Sequence, residues 1–265
     1  MRVWLRLLNT TFQEAMEYRV EGVIWFLYDV LPPIVMVFLW LAAYREQSVV
    51  AGYTLPEMLF YYLGTMVLRT LVTVHSEWEI AWEVRQGTLS NYLVKPLNPW
   101  VYWLADQLAW KAVRLLFLTP VVAGTVLWLL GELAPPRLGV EHAVALPLAL
   151  VLAFLLCYGI KLALGMTAFW ITDIGGVMGL YEVLAYLFSG TILPLDLLPP
   201  VLQQIAALLP LQYIYYFPLS VALGRVSSVD LWQGLLAQTL WTAGSLALAR
   251  VVWQRALVRY EAVGG

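Results

Sequence analysis

Residues 142–171 read HAVALPLALVLAFLLCYGIKLALGMTAFWI. The stretch is long enough to cross a bilayer, and Lys161 lies near one end of it. A membrane-spanning helix needs about 20 consecutive apolar residues. The rest of the chain has the same character. Of 265 residues, 62% are hydrophobic and 12% charged, against roughly 45–50% and about 25% in soluble domains. Such a chain cannot cover its surface with polar groups, so lipid is the natural solvent for the surplus. At about 20 residues per span there is room for six spans and their loops. The predicted fold is an all-α integral membrane protein, a single transmembrane domain over residues 1–265.

Around that fourth span the others fall in order. The first is Gly22–Tyr44, with Asp29 and Pro32-Pro33 inside it. The second is Glu57–Val74, containing Arg69, after a polar loop at Arg45–Pro56. The third follows Arg114 and ends at Gly131, with Trp100–Lys111 leading into it along the interface. Glu132–Glu141 is a loop around Pro135-Pro136, and Asp173, Gly175 and Gly176 make a tight turn. The fifth span is Val177–Leu193, with Glu182 inside, and the sixth is Leu231–Ala249. Ahead of the spans, Trp4, Leu8, Phe12, Ala15 and Met16 recur at helical spacing among charges. Residues 1–20 therefore read as an amphipathic helix on the membrane surface. They lack the continuous apolar core of a secretory signal.

Pro194–Gly224 is apolar but holds Pro194, Pro199, Pro200, Pro210 and Pro218. Prolines that dense break helices, so residues 194–224 read as short broken helices dipping into one face of the membrane. Orientation follows from Lys and Arg near the span ends. With both termini inside, ten of them are cytoplasmic: Arg2, Arg6, Arg19, Arg85, Lys95, Lys111, Arg114, Arg250, Arg255 and Arg259. Three are outside: Arg45, Arg137 and Arg225. Residues 75–99 are then cytoplasmic and the proline-rich segment is external, with Gly190, Pro194, Asp196 and Pro199 as its gate-forming positions. The expected localisation is a cell membrane, bacterial inner or plasma. No internal repeat is evident, so a transport pathway would arise by pairing two chains.

Several function classes are disfavoured. A net charge of −2 lacks the basic footprint that nucleic acid requires. One cysteine, Cys157, permits neither a disulfide within the chain nor a cysteine zinc cluster. There is no G-x-x-x-x-G-K-[ST] loop, no H-E-x-x-H and no G-x-S-x-G elbow. His75 and His142 lie in different loops, and the acids are scattered. No catalytic or metal-binding residue and no cofactor of its own is predicted.

The informative segment is Glu77–Pro99, EWEIAWEVRQGTLSNYLVKPLNP. On a helix, Glu79, Glu83 and Gln86 share one side. Trp78, Trp82 and Arg85 sit beside them at i, i+4, i+7 spacing. Gly87 is placed to end the helix. Paired tryptophans would hold such a helix at the membrane surface while its carboxylates face the cytosol. The run Gly87-x-Leu89-x-x-x-Leu93-x-Lys95-Pro96-Leu97-x-Pro99 resembles the cytoplasmic loop of type-2 export permeases of the ATP-binding-cassette superfamily. It is most similar to a six-span subfamily with a G-x-L-x-x-x-L-x-[KR]-P-L-x-P loop. The resemblance extends over most of the chain, including the external Ser189-Gly190-x-x-x-Pro194-x-x-x-x-Pro199 run. It implies that Trp78, Glu79, Trp82, Glu83, Arg85, Gln86 and Gly87 form a coupling helix seated in a groove of a cytosolic ATPase. It also implies two ATPase copies carrying ATP and Mg, and a second permease subunit, identical or paralogous. The substrate, exported from the cytoplasm or inner leaflet, is left open among drug, lipid, peptide and glycan.

Four ionisable residues lie at membrane depth: Asp29, Arg69, Lys161 and Glu182. Charge there marks function or pairing. Lys161 is expected to snorkel to the interface, Asp29 to lie near the headgroups, and Arg69 and Glu182 to pair or line a pathway. Tyr213, Tyr215, Tyr216 and Phe217 read either as the lining of a substrate exit or as anchors of the external helices, anchoring being the favoured reading. Two other readings stand beside the exporter. One is an ion-coupled secondary transporter using Asp29, Arg69 and Glu182, and the other is a non-transporting membrane scaffold. A neighbouring gene for an ATPase would separate the first reading from both.

Overall fold

The structure is a computed structural model. It describes Thr10, Gln13, Glu17 and residues 19–260 apart from 47, 51, 95–97, 133–137 and 172, and in the first helix the side chains other than those of 19–22, 25 and 29. The predicted surface helix over residues 1–20 and the motif residues Lys95, Pro96 and Leu97 therefore fall largely outside the described residues.

The described chain is almost wholly helical. Helix α1 (Arg19–Ala43) runs through Pro32 and Pro33, tolerable in a span because neighbouring groups re-satisfy the freed backbone. A small hairpin, β1 (Val49–Val50) and β2 (Tyr53–Thr54), follows. Helix α2 (Leu55–Val72) starts where Thr54 N–H and Oγ1 both donate to Glu57 Oε2 at 2.8 Å, which satisfies groups that a helix start leaves open. Helix α3 (Ser76–Gln86) is short and ends at Gly87, whose φ of +70° is the left-handed conformation glycine adopts readily. A one-turn helix, α4 (Ser90–Leu93), leads to α5 (Pro99–Trp128), with Pro99 in its first turn and the Asn98 side chain accepting from Trp100 N–H. Helix α6 (Val140–Gly165) is followed by a 3-10 turn at Met166–Phe169. Helix α7 (Gly175–Phe188) is shorter, and α8 (Pro200–Ala207) and α9 (Tyr216–Ala222) come from the proline-rich segment. Helix α10 (Ser228–Arg259) closes the fold.

Among the described residues, α1, α2, α5, α6 and α10 are apolar and long enough to cross a membrane, and α7 is a shorter apolar helix. The third span differs from expectation. Trp100–Lys111 is not a separate lead-in element but the first part of α5, one continuous helix of 30 residues or about 45 Å. Polar residues in that first part are satisfied inside the protein, Lys111 donating to Thr73 O at 2.5 Å. The fifth span also differs. Its helix stops at Phe188 rather than Leu193, because Gly190 takes φ +83°. A Cβ there would meet Tyr216 Cβ at 2.7 Å and Tyr61 Oη at 2.8 Å. The sixth helix is 32 residues, about 48 Å, and projects past a hydrocarbon slab of about 30 Å.

The proline-rich segment is broken, with a 77° bend between Pro200–Ala207 and Pro210–Ala222. It is tied down by hydroxyl chemistry. Asp196 accepts from Tyr53 at 2.7 Å and Tyr216 at 2.6 Å, and Tyr61 and Tyr62 donate to the carbonyls of Gly190 and Ile192. Tyr215 reaches Thr73 at the far end of α2, hydroxyl to hydroxyl at 2.6 Å. The segment thus dips between the long helices. The best-packed pair is α6 and α10, where Gly159 lies so close to Ser245 that a Cβ would meet its hydroxyl at 2.5 Å.

Candidate functional site

Helix α3 is fixed to three long helices. On α6, Gly165 lies against its backbone, and a Cβ at Gly165 would fall 2.7 Å from Glu77 Cα. Only glycine lets the two chains approach that closely. Next to this contact, Lys161 Nζ donates to Glu77 Oε1 at 2.8 Å and to Glu182 Oε1 of α7 at 2.9 Å, and it lies 4.7 Å from the Tyr181 ring centroid. Lys161 is 3% exposed and Glu77 fully buried, whereas the Glu182 side chain is 43% exposed. On α5, Trp103 Nε1 donates to Glu83 Oε2 at 3.0 Å, and the Gln107 side chain accepts from His75 N–H at 2.8 Å. From α10, the Tyr260 hydroxyl, just past the helix end, donates to Gly87 O at 2.8 Å and accepts from Ser90 N–H at 3.0 Å.

These contacts overturn two expectations. Lys161 does not snorkel, because two carboxylates and an aromatic face compensate its charge inside the bundle. Glu83 does not face the cytosol. It is 5% exposed, and burial pushes its carboxyl up to about 7 against the opposing hydrogen bond from Trp103. The outward side of α3 instead carries Trp78, Trp82, Arg85 and Gln86, with Glu79 half-buried at its edge. The positioning residues Glu77, Trp103, Gly165 and Tyr260 were not singled out in the sequence. Gly165 lies four residues after Lys161 in an otherwise apolar run, and that is the one local sign that something packs there.

A cavity of about 310 Å³ opens beside the ion cluster. Arg69, Thr73, Lys161, Tyr181, Glu182 and Tyr215 are among its lining residues. Arg69 and Glu182 thus share a wall, and the ion pair that Glu182 makes is with Lys161. The side chain of Asp29 lies outside those described. Gly190, Pro194, Asp196 and Pro199 gather at the other end of the bundle, around the tyrosine cluster.

The pattern of the family described as ABC-2 family transporter protein matches residues 30–264. The chain belongs to the ABC-2 transporter family. Comparison with curated proteins gives no match. As an ABC-2 protein with several long apolar helices, it is a multi-pass membrane permease of the ATP-binding-cassette type. In this ABC-2 permease, α3 is the one described helix of more than two turns that lies between spans and carries a mixed charged and aromatic face.

Proposed function

We propose that this permease is the membrane-spanning half of an exporter driven by a separate cytosolic ATPase, and that α3 is the element on which the ATPase acts. The observation that carries the reading is the mounting of α3. Its buried side is gripped by α5, α6, α7 and the end of α10 through Glu77, Glu83, Gly165 and Gly87, while Trp78, Trp82, Arg85 and Gln86 face outward. A push on the outward side is transmitted to those helices at once. A helix merely floating at the interface would absorb it.

In this reading both termini and residues 75–99 are cytoplasmic, in keeping with the Lys and Arg distribution. Two copies of the ATPase bind ATP and Mg, and two permease subunits, identical or paralogous, form the path. Arg69, Glu182 and, by sequence position, Asp29 belong to that path or to its pairing network, and residues 194–224 form its outer closure. The chain itself supplies the path and not the chemistry. Substrate leaves the cytoplasm or the inner leaflet. The test is affinity purification of the tagged permease from its native host, with mass spectrometry of partners and lipids. A stoichiometric ATP-binding-cassette ATPase is the expected result. Its consistent absence, with the permease intact and monodisperse, contradicts the reading.

A further inference from the structure

Helix α10 carries a row of outward residues along one side: Leu240, Gly244, Leu248, Val251, Arg255 and Arg259, all exposed. They recur at steps of three and four, so they lie one above another on a single face. The rotation of the helix is fixed from behind. The Trp253 ring packs edge to face on Trp103 of α5 at 5.8 Å and on Phe169 at 6.2 Å, and the Tyr260 ring packs on Phe169 at 5.9 Å. Ala249 and Ala256 are fully buried. The two arginines are thereby held outward.

The row is apolar from Leu240 to Val251, a rise of about 16 Å. That matches one leaflet of a hydrocarbon core about 30 Å thick. Gly244 leaves a dip between Leu240 and Leu248, since a Cβ there would meet nothing within 4 Å. Arg255 and Arg259 follow, one turn or about 6 Å apart. Side chains on a helix lean toward its N-terminus, which from these positions is toward the apolar part of the row. Both guanidinium groups therefore lean back toward the level of phospholipid headgroups.

Their charge is uncompensated. Among the described residues neither arginine makes a hydrogen bond or an ion pair. From Leu231 to Arg259 the helix contains no Asp or Glu. Lys161 and Arg225, by contrast, are each engaged by a carboxylate. Two cations one turn apart select an anion, and a guanidinium takes a phosphate through paired N–H donors. A soluble anion accounts for the arginine pair but not for the apolar row that leads up to it. A lipid accounts for both.

We propose that Arg255 and Arg259 bind the phosphate of an anionic phospholipid whose acyl chain lies along Leu240, Gly244, Leu248 and Val251. The site is at the same end of the molecule as α3, because the Tyr260 hydroxyl meets Gly87 and Ser90. A lipid held there steadies the end of α10 that grips α3. The proposal does not depend on the export reading. The full-length permease, purified in detergent and delipidated, is offered phosphatidylglycerol and phosphatidylethanolamine at equal concentration, and native mass spectrometry measures what is retained. In parallel its melting temperature is followed against phosphatidylglycerol and against glycerol 3-phosphate. Phosphatidylglycerol should be retained preferentially and should raise the melting temperature, and glycerol 3-phosphate at the same concentration should not. Arg255→Gln combined with Arg259→Gln should lower the preference about tenfold or more and leave the melting temperature of the lipid-free protein near wild type. Arg250→Gln removes one charge from a different side of α10 and should change the preference little. Equal retention of the two lipids, an equal response to glycerol 3-phosphate, or an equal loss in Arg250→Gln overturns the proposal. Loss of ATPase association in the double variant with lipid retention unchanged assigns the arginines to a protein partner and overturns it as well.

Discussion

Lys161→Met tests the mounting of α3 at its most sensitive point. The substitution keeps the length and apolar stem of the side chain and removes the ammonium between Glu77 and Glu182. The Glu182 arm contributes little, since its side chain is 43% exposed and exposed pairs are worth about 0.2–1 kcal/mol. The Glu77 arm is different. Its carboxylate is fully buried, and its second oxygen, Oε2, has no hydrogen-bond partner among the described residues. Lys161 is thus the compensating charge for a desolvated carboxylate. Breaking a buried pair by removing one partner costs about 3–5 kcal/mol, whereas replacing both by apolar groups of similar volume is often neutral or stabilising. Lys161→Met should therefore destabilise the detergent-solubilised protein by about 3–5 kcal/mol, and Glu77→Leu combined with Lys161→Met should recover most of the loss. The assay is a denaturation series of wild type, both single variants and the double variant, read as a double-mutant cycle. Protease cutting between residues 73 and 90 should increase in Lys161→Met and return toward wild type in the double variant. A Lys161→Met protein within about 1 kcal/mol of wild type, or strictly additive single effects, would refute the idea that this pair holds α3.

Three further outcomes are expected. Gly165→Leu should push α3 off α6, because a Cβ there would already lie 2.7 Å from Glu77 Cα; it should abolish stimulation of the partner ATPase while membrane insertion, checked by fractionation, is unchanged. Glu83 holds its proton up to about 7 in the folded protein against 4.5 for an ordinary glutamate. Between those values the folded state binds more protons than the unfolded one, so this group's stabilisation is complete below about pH 4.5 and is lost as pH rises through about 7. Melting temperatures should therefore fall from pH 5 to pH 7.5 more steeply in wild type than in Glu83→Gln, and parallel curves would count against a buried carboxylate at this position. In a Cys157→Ala background, cysteines at Ser90 and Gly139 should label from opposite sides of the membrane, and labelling of position 90 from outside intact cells would reverse the orientation.

The fold was legible because the signal is additive: long apolar runs mark spans whatever their neighbours do, and prolines at 194, 199, 200 and 210 break helices by covalent geometry. The positions of span ends were less legible. Asp106, Gln107 and Lys111 make the first half of α5 polar, and there Lys111 finds the Thr73 carbonyl and Gln107 the His75 amide. The candidate site was half-legible for the same reason. Gly87 announces a helix end by its own chemistry, and φ +70° follows. The burial of Glu77 and Glu83 depends on Lys161 and Trp103, which are 84 and 20 residues away in sequence. A helical wheel drawn from hydrophobicity alone turns such carboxylates outward. Partners brought together by tertiary packing turned them inward, and left the tryptophans on the open side.

The most direct test of coupling through α3 uses a helix-breaking substitution within it. Ile80 and Ala81 are buried at its centre, and proline at either removes a backbone donor and clashes with the preceding turn. The measurement is co-purification and ATPase activity of the complex reconstituted with Ile80→Pro or Ala81→Pro permease, with Glu79→Ala as a mild comparison. The proline variants should insert in the membrane yet lose ATPase association and stimulated activity, while Glu79→Ala weakens them only modestly. Normal assembly and wild-type activity in inserted proline variants would show that α3 is an ordinary connection between spans.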